Sequence, residues 1–267
     1  MEGTSAEDTA LRSLHGRVAI VTGGAGAIGG AVSRHLASLG AKVVVNYFGD
    51  SFDADRLVAA VNDEFSCCQP PRAIAVQANV TDETQVKALF DAAELAFGPE
   101  GIHIVVTCAG VNDPYKSPLA ELTPEHWDQM FLVNAKGTFL CCREAARRLV
   151  RGGGGRIITI SSSTVDSLRP GYGAYAASKA AVEVLTKILS RELAGTGITA
   201  NAVSPGPIVT PMFFENKSEE EVRKRVADCP LGRLGYPEDV ARLVGYLVSV
   251  AGEFVNGQSI RINGGYI

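Results

Sequence analysis

Short runs of β-branched and aliphatic residues alternate along the chain with longer stretches whose apolar positions recur every three or four residues. Residues 17–22 (RVAIVT), 42–46 (KVVVN), 72–77, 102–107 (IHIVVT), 156–161 (RIITIS), 199–203 and 258–262 read as strands. The helical period predicts helices over 29–39, 53–65, 83–97, 127–151, 175–193, 219–227 and 237–250, the fourth ended by four glycines, Gly152–Gly155. The strand runs are apolar at consecutive positions, as in strands covered by helices on both faces. Strands that alternate with helices build βαβ units and a parallel sheet. No linker, composition break or internal repeat divides the chain. The expected fold is therefore one doubly wound α/β domain over residues 14–267, with a seven-stranded, mostly parallel sheet, after a flexible segment 1–13. In such sheets ligands bind beyond the carboxyl ends of the strands. Function is expected in the loops after Thr22, Asn46, Gln77, Thr107, Ser161 and Val203.

Composition narrows the class. The chain has 267 residues, 46% hydrophobic and 20% charged, a balance that buries a core and argues against disorder. A net charge of −4 without a basic run speaks against nucleic acid or an anionic membrane as partner. No apolar run approaches the roughly 18 residues of a membrane helix. The first residues carry Glu2, Glu7 and Asp8 and resemble neither a signal peptide nor an Arg-rich transit peptide. A cytoplasmic protein is expected. Cys67, Cys68, Cys108, Cys141, Cys142 and Cys229 form no zinc or CxxC spacing, so they read as buried hydrophobes in a reducing compartment, and no metal is expected. Glycine is in excess, 29 residues, which points to tight turns or close backbone approaches.

The first such place is Thr22-Gly23-Gly24-Ala25-Gly26-Ala27-Ile28-Gly29-Gly30, between the first strand and the first helix. Glycines let backbone approach a phosphate, and the helix N-terminus offers N–H groups and partial positive charge. No Gly-Lys-Ser/Thr follows, so this is not an ATP-type loop. Here the chain begins to resemble the short-chain dehydrogenase/reductase family, whose cofactor loop is matched by Thr22, Gly23, Ala27 and Gly29. Gly23, Gly26 and Gly29 also fit the spacing of the family's extended branch.

A second constellation lies further on. Ser161-Ser162-Ser163 closes the fifth strand, and Tyr175 and Lys179 share one face at the start of the next helix. A free tyrosine titrates near ~10, and a neighbouring ammonium is expected to lower that value. Such a tyrosine can protonate a carbonyl oxygen or deprotonate an alcohol, and a serine hydroxyl can hold that oxygen. The compact branch of the family places its serine thirteen residues before the tyrosine, which selects Ser162. The extended branch would require a serine where Val150 or Arg151 stands. The resemblance, over about residues 14–267, implies a Rossmann-type fold. It also implies that Asn134, in the preceding long helix, bends that helix and joins a proton relay to Lys179.

The resemblance further implies cofactor contacts at Ile28, Asn79, Val80, Ala109, Gly110, Pro205, Gly206, Ile208 and Thr210. Asn79 is expected at adenine, and Ile208 and Thr210 at the nicotinamide carboxamide. Thr107 stands where the family usually has an asparagine that braces the sheet, so local repacking is expected. At the end of the second strand Tyr47 stands where NAD enzymes carry an aspartate. The chain therefore leans to NADP(H) over NAD(H), with Asn46, Tyr47 and Ser51 as phosphate contacts. Gly26, where many NADP enzymes have arginine, and Asp50 argue the other way.

On the substrate side, Ser162, Thr164, Tyr172, Tyr175, Met212 and Phe213, with Val165, Phe214 and the loop from Val111 to Tyr115, are expected around a carbonyl or alcohol. The apolar start of the lid at Pro211 favours a small hydrophobic substrate. In wording the chain looks most like plant reductases of the family that act on aldehydes and ketones. It also resembles fungal naphthol reductases and bacterial ketoacyl reductases. The alternatives are an NAD-dependent alcohol dehydrogenase of the same fold, a nucleotide-sugar epimerase or dehydratase, and a catalytically silent nicotinamide-binding sensor. Apolar residues on several faces of the two long helices imply a homodimer or homotetramer.

Overall fold

The computed structural model describes residues 13–65, 71–98 and 101–267. Its strands are β1 (Val18–Thr22), β2 (Lys42–Tyr47), β3 (Ala73–Gln77), β4 (Ile104–Thr107), β5 (Arg156–Ile160), β6 (Thr199–Pro205) and β7 (Ser259–Ile262). They form one parallel sheet in the order β3-β2-β1-β4-β5-β6-β7. The helices are α1 (Ala27–Ser38), α2 (Phe52–Glu64), α3 (Glu83–Phe97), α4 (Pro124–Met130), α5 (Thr138–Arg148), α6 (Thr164–Ser167), α7 (Gly173–Glu192), α8 (Pro211–Phe214), α9 (Glu219–Ala227) and α10 (Pro237–Val248). A π-helical stretch, Phe131–Gly137, joins α4 to α5.

Strand residues divide by parity. Ala19, Val21, Val43, Val45, Ile104, Val106, Ile158 and Val203 pack under α1, α2 and α10. Their neighbours Val18, Ile20, Val44, Val105, Ile157 and Ala200 pack under α3 and α5. Successive side chains of a strand point to opposite faces, so consecutive apolar residues require helices on both. The strand order reverses between β1 and β4, which opens a crevice at their carboxyl ends.

Helix ends follow local chemistry. Asp82 caps α3, accepting from the N–H groups of Thr84 (2.8 Å) and Gln85 (3.2 Å). Ser218 and Glu221 form a capping box on α9. The single long helix expected over 127–151 is different. It begins earlier, at Pro124 behind the cap Thr123, and is interrupted by the π stretch. It ends at Arg148, because Leu149 turns extended and bridges to Ile102 before the glycines are reached. That bridge also takes Ile102 out of β4.

Thr22, Thr107 and Thr159 lie side by side across β1, β4 and β5. The Thr159 hydroxyl meets that of Thr186 at 2.8 Å, and Thr22 Oγ1 accepts from the Ala109 N–H at 3.3 Å. Thr107 is buried and its hydroxyl has no partner among the described residues. The pairing on both sides of it is regular. An unsatisfied buried hydroxyl is a liability, whereas a bonded one contributes about 1 kcal/mol. Thr107→Val is expected to hold or raise the unfolding midpoint. Thr159→Val is expected to cost about 1 kcal/mol. Urea unfolding of the pair tests this.

Candidate active site

The glycine loop leaves β1 with Gly23 in the left-handed region at φ +58°. A Cβ there would lie 2.9 Å from the backbone of Ala109, and one at Gly29 only 2.1 Å from Gly23 O. These glycines are demanded by the chain's own crossing at the crevice. The N-cap of α1 is Gly26, with no side-chain cap and no acid in the first turn. The first N–H groups of α1 are therefore left for an anion, the cradle a dinucleotide pyrophosphate needs. Ile28 lines the adjoining cleft.

Asn46 does not serve as the expected phosphate contact. It is buried, its Oδ1 accepts from the Gly23 N–H (3.2 Å), and its Nδ2 donates to the carbonyls of Val76 (3.3 Å) and Ala78 (3.0 Å). It pins the glycine loop to the end of β3. Tyr47 and Ser51 are half-buried beside it, and the Ser51 side chain makes no capping bond. Asn79 turns its Oδ1 into its own loop, onto the Thr81 N–H (3.0 Å) and hydroxyl (2.9 Å). Val80 is buried against Gly137 of the π stretch.

Three adjacent serines have three fates. Ser161 Oγ donates to Glu183 Oε1 (2.8 Å), which also accepts from Ser204 Oγ (2.8 Å) and so ties β5 to β6 through α7. Ser163 Oγ donates to Ser204 O (3.0 Å). Ser162 lines the cleft with Tyr175 and acts on its phenol, opposing the effect of burial. Ser162 Oγ also accepts from the Thr164 N–H (3.2 Å) and hydroxyl (2.9 Å). One turn beyond Tyr175 on α7, Lys179 Nζ donates to Ile160 O at 2.8 Å and stands 5.9 Å from the tyrosine ring centroid.

Asn134, in the π stretch, is fully buried. Its Oδ1 accepts from the Val111 N–H (2.8 Å), and its Nδ2 donates to Val111 O (2.9 Å) and Ser178 Oγ (3.0 Å). A Cβ on Gly110 would meet Asn134 Oδ1 at 3.2 Å and Lys179 Nζ at 3.3 Å, so glycine leaves room for both. The Asn134 amide is fully engaged in these bonds. The side chain braces the loop after β4 against α7.

Burial sets the electrostatics. It pushes the Tyr175 phenol up to about 12, against the influence of Ser162, and Lys179 down to about 8. For both groups burial is the largest influence. The same burial pushes the thiol of Cys108, beside Lys179, up to about 12, so it stays protonated. Cys141, Cys142 and Cys229 are buried, and Cys67 and Cys68 lie outside the described residues.

Above these groups lies a cavity of about 300 Å³. It is lined by Gly110, Ser162, Thr164, Tyr172, Tyr175 and Lys179, and by Pro205, Gly206, Ile208, Thr210, Met212 and Phe213. Thr210 is already engaged, capping α8 by accepting from the Phe213 N–H at 3.1 Å. Of the loop after β4, Asn112 reaches the cavity. Asp113 is buried as a staple for the N–H groups of Tyr115 (3.1 Å) and Ser117 (2.7 Å), and Tyr115 is exposed and stacked on His126. The wall is not apolar throughout, as the lid sequence implied. Lys116, Arg169, Lys217 and Arg225 also line it. They come from loops and helix ends without shared periodicity, so no sequence pattern marks them.

Rossmann-type oxidoreductases are built on such a crevice. A family model described as enoyl-(acyl carrier protein) reductase matches residues 23–267. The chloroplastic NADPH-dependent aldehyde reductase-like protein of Arabidopsis thaliana is 54% identical over 258 residues, which cover 95% of each chain. The chloroplastic NADPH-dependent aldehyde reductase 2 of the same plant is 48% identical over 94% of each. A short chain dehydrogenase from Burkholderia cenocepacia J2315, solved in complex with NADP, superposes with a TM-score of 0.85 at 33% identity, covering 95% of this chain and 98% of its own. The chain belongs to the short-chain dehydrogenase/reductase family and is an oxidoreductase.

Both Arabidopsis proteins are chloroplastic, which overturns the expectation of a cytoplasmic protein. That expectation rested on composition and on residues 1–13, of which 1–12 lie outside the described residues. Composition does not distinguish one reducing compartment from another. Among the described residues no helix is long and apolar enough to cross a membrane.

Lys179 carries a pH signature. Its ordinary value is 10.5 and its native value about 8, so between those limits the unfolded chain holds a proton the native protein has released. Stability from this group therefore rises with pH across that window. Lys217, also held near 8, adds the same sign, and the thiols of Cys108, Cys141, Cys142 and Cys229, pushed up by burial, add the opposite sign above about 9, so the comparison must be against a variant. The slope of urea-unfolding free energy against pH between 8 and 10 is expected to be less positive in Lys179→Met than in the wild type.

Proposed function

We propose that this chain is an NADP(H)-dependent carbonyl reductase in which Tyr175 is the proton donor to the substrate oxygen. The convergence of Tyr175, Ser162 and Lys179 on one cleft beside the glycine loop carries this reading. When bound, the reduced nicotinamide supplies a hydride to the carbonyl carbon. The chain's own residues manage the oxygen. A phenol held near 12 is protonated at neutral pH, the form that reduction requires. Its O–H donates to the oxygen as negative charge develops there, and the Ser162 hydroxyl donates a second bond. Lys179, mostly charged at pH 7 with a value near 8, stabilises the phenolate left behind. Asn134 would anchor the water of a proton relay to Lys179, and Gly110 leaves room for both side chains.

For the cofactor, the loop from Gly23 to Gly29 and the first N–H groups of α1 would hold the pyrophosphate. Tyr47 and Ser51 would face the adenosine ribose, Asn79 and Val80 the adenine, and Ala109, Gly110, Ile208 and Thr210 the nicotinamide half. NADP is favoured by the absence of a carboxylate at Tyr47, by the NADPH-dependent plant relatives and by the NADP complex of the Burkholderia enzyme. Met212, Phe213 and Pro207 offer apolar surface for the carbon skeleton of a small aldehyde or ketone. Exposed Phe139 on α5 and Val184 and Ile188 on α7 favour assembly through these helices as a dimer or tetramer.

Tyr175→Phe is expected to bind NADPH as the wild type does and to lose about 10²–10⁴-fold in turnover of an aldehyde panel read at 340 nm. Unchanged turnover would remove Tyr175 from the chemistry, and a wild-type protein that binds NADPH but reduces nothing would favour the sensor. Tyr47→Asp places a like charge against a 2′-phosphate. It is expected to weaken NADPH binding about tenfold or more while sparing NADH, measured by nicotinamide fluorescence.

A further inference from the structure

The cavity over Tyr175 has a cationic far wall. Lys116 follows β4, Arg169 follows α6, and Lys217 and Arg225 belong to the lid of α8 and α9. Lys116 Nζ donates to Asn216 O at 3.2 Å, and its charge is close enough to act on the Lys217 ammonium. Lys217 in turn donates to Phe213 O and sits 4.6 Å from that ring's centroid. Burial, and then the charge of Lys116, push Lys217 down to about 8.

Counter-charge is short on this wall. Arg225 is matched by Asp228 at 2.6 Å. Arg169 is held by the Tyr266 hydroxyl at 2.8 Å and shares that same carboxylate at 3.9 Å. Glu221 is the carboxylate that lines the cavity, and its Oε2 is already bonded to the N–H (2.8 Å) and hydroxyl (3.2 Å) of Ser218. Two neighbouring ammonium groups in a half-buried cleft thus share one carboxylate, Glu221, which acts on both, and the cations lining the cavity outnumber it. Like charges so placed repel unless an anion separates them.

Backbone strain marks the same wall. Among the described residues, the non-glycine residues in the left-handed region are Lys116 (φ 54°), Leu168 (φ 47°) and Asn216 (φ 53°). One is a wall cation, and the other two immediately precede Arg169 and Lys217. Such conformations persist where the surroundings hold them, and they gather at ligand clamps. Three separate segments thus adopt an unfavourable backbone to bring positive charge to one cavity.

We propose that the substrate is a carbonyl compound bearing an oxyanion, a carboxylate or a phosphate, which Lys116 and Lys217 bind with Arg169 beside them while the carbonyl lies at Tyr175. This substrate class rests on the reductase reading above. The apolar side chains of Met212 and Phe213 then flank the carbon chain between the two polar ends.

The test uses short ω-carboxyaldehydes, their methyl esters and the matching ω-phosphate aldehydes, with NADPH. The anionic members are expected to exceed the esters in kcat/KM by about tenfold or more, as a charged hydrogen-bond pair provides. The larger gain between carboxylate and phosphate identifies the source. The ratio is expected to fall with added salt and to approach one in both Lys217→Met and Lys116→Gln. Equal rates for anions and esters, or a preference that survives both substitutions, would overturn the proposal. A second measurement separates it from the reductase reading: calorimetric binding of the ω-hydroxycarboxylates and their esters to the NADPH-loaded protein. Anion preference in binding without any aldehyde reduction keeps the anion site and discards the reductase. Reduction of aldehydes with no anion preference in either measurement does the reverse.

Discussion

Where β1 and β4 leave the sheet, backbone meets backbone, and no side chain fits between them. A Cβ at Gly23 would press on Ala109, one at Gly29 would enter the carbonyl of Gly23, and one at Gly110 would crowd Asn134 and Lys179. The strand order reverses at this point, so the two loops must diverge from a shared origin. Their close approach brings the uncapped N-terminus of α1 and the ammonium of Lys179 to one crevice. Asn46 fixes one side of it by tying the glycine loop to β3, and Asn134 fixes the other by tying the loop after β4 to α7. Two asparagines, each with its amide fully engaged, hold the positions on which the chemistry depends.

Much of this was legible in the residue order, for identifiable reasons. The strands stood out because helices on both faces require unbroken apolar runs. Helices α3 and α9 could be read to the residue because Asp82 and the Ser218–Glu221 box announce their starts. Ser162 could be singled out from Ser161 and Ser163 only through family spacing, since three adjacent serines look alike until Glu183 and Ser204 claim two of them. The π stretch carries no periodic mark, so α4 and α5 were merged. Spacing puts Tyr175 and Lys179 on one face but says nothing of their desolvation, which only the fold around them sets. Asn46 was polar in the right loop, yet its burial was invisible. Lys116, Arg169 and Lys217 are far apart in sequence, and only folding makes them a group.

The charges around the cleft divide into two settings. Near β5, Lys179 is wrapped by backbone, with Ile160 O as its partner, and its charge is available for proton chemistry. At the rim, the lid cations are held by carbonyls and by carboxylates already in use. Lys179 is buried and the lid cations are half-open to solvent. Salt therefore weakens the second far more than the first.

The seven-residue π stretch also constrains how this sequence can change. A π turn takes up more residues than an α turn, so removing one residue from Phe131–Gly137 would let α4 run smoothly into α5. The wider turn absorbs that residue, so the deletion would leave Leu140, Cys141, Cys142 and Ala145 on the sheet they now cover. What it would remove is the local bulge from which the Asn134 amide meets Val111. The packing of α5 is thus indifferent to the irregularity, and the crevice is not.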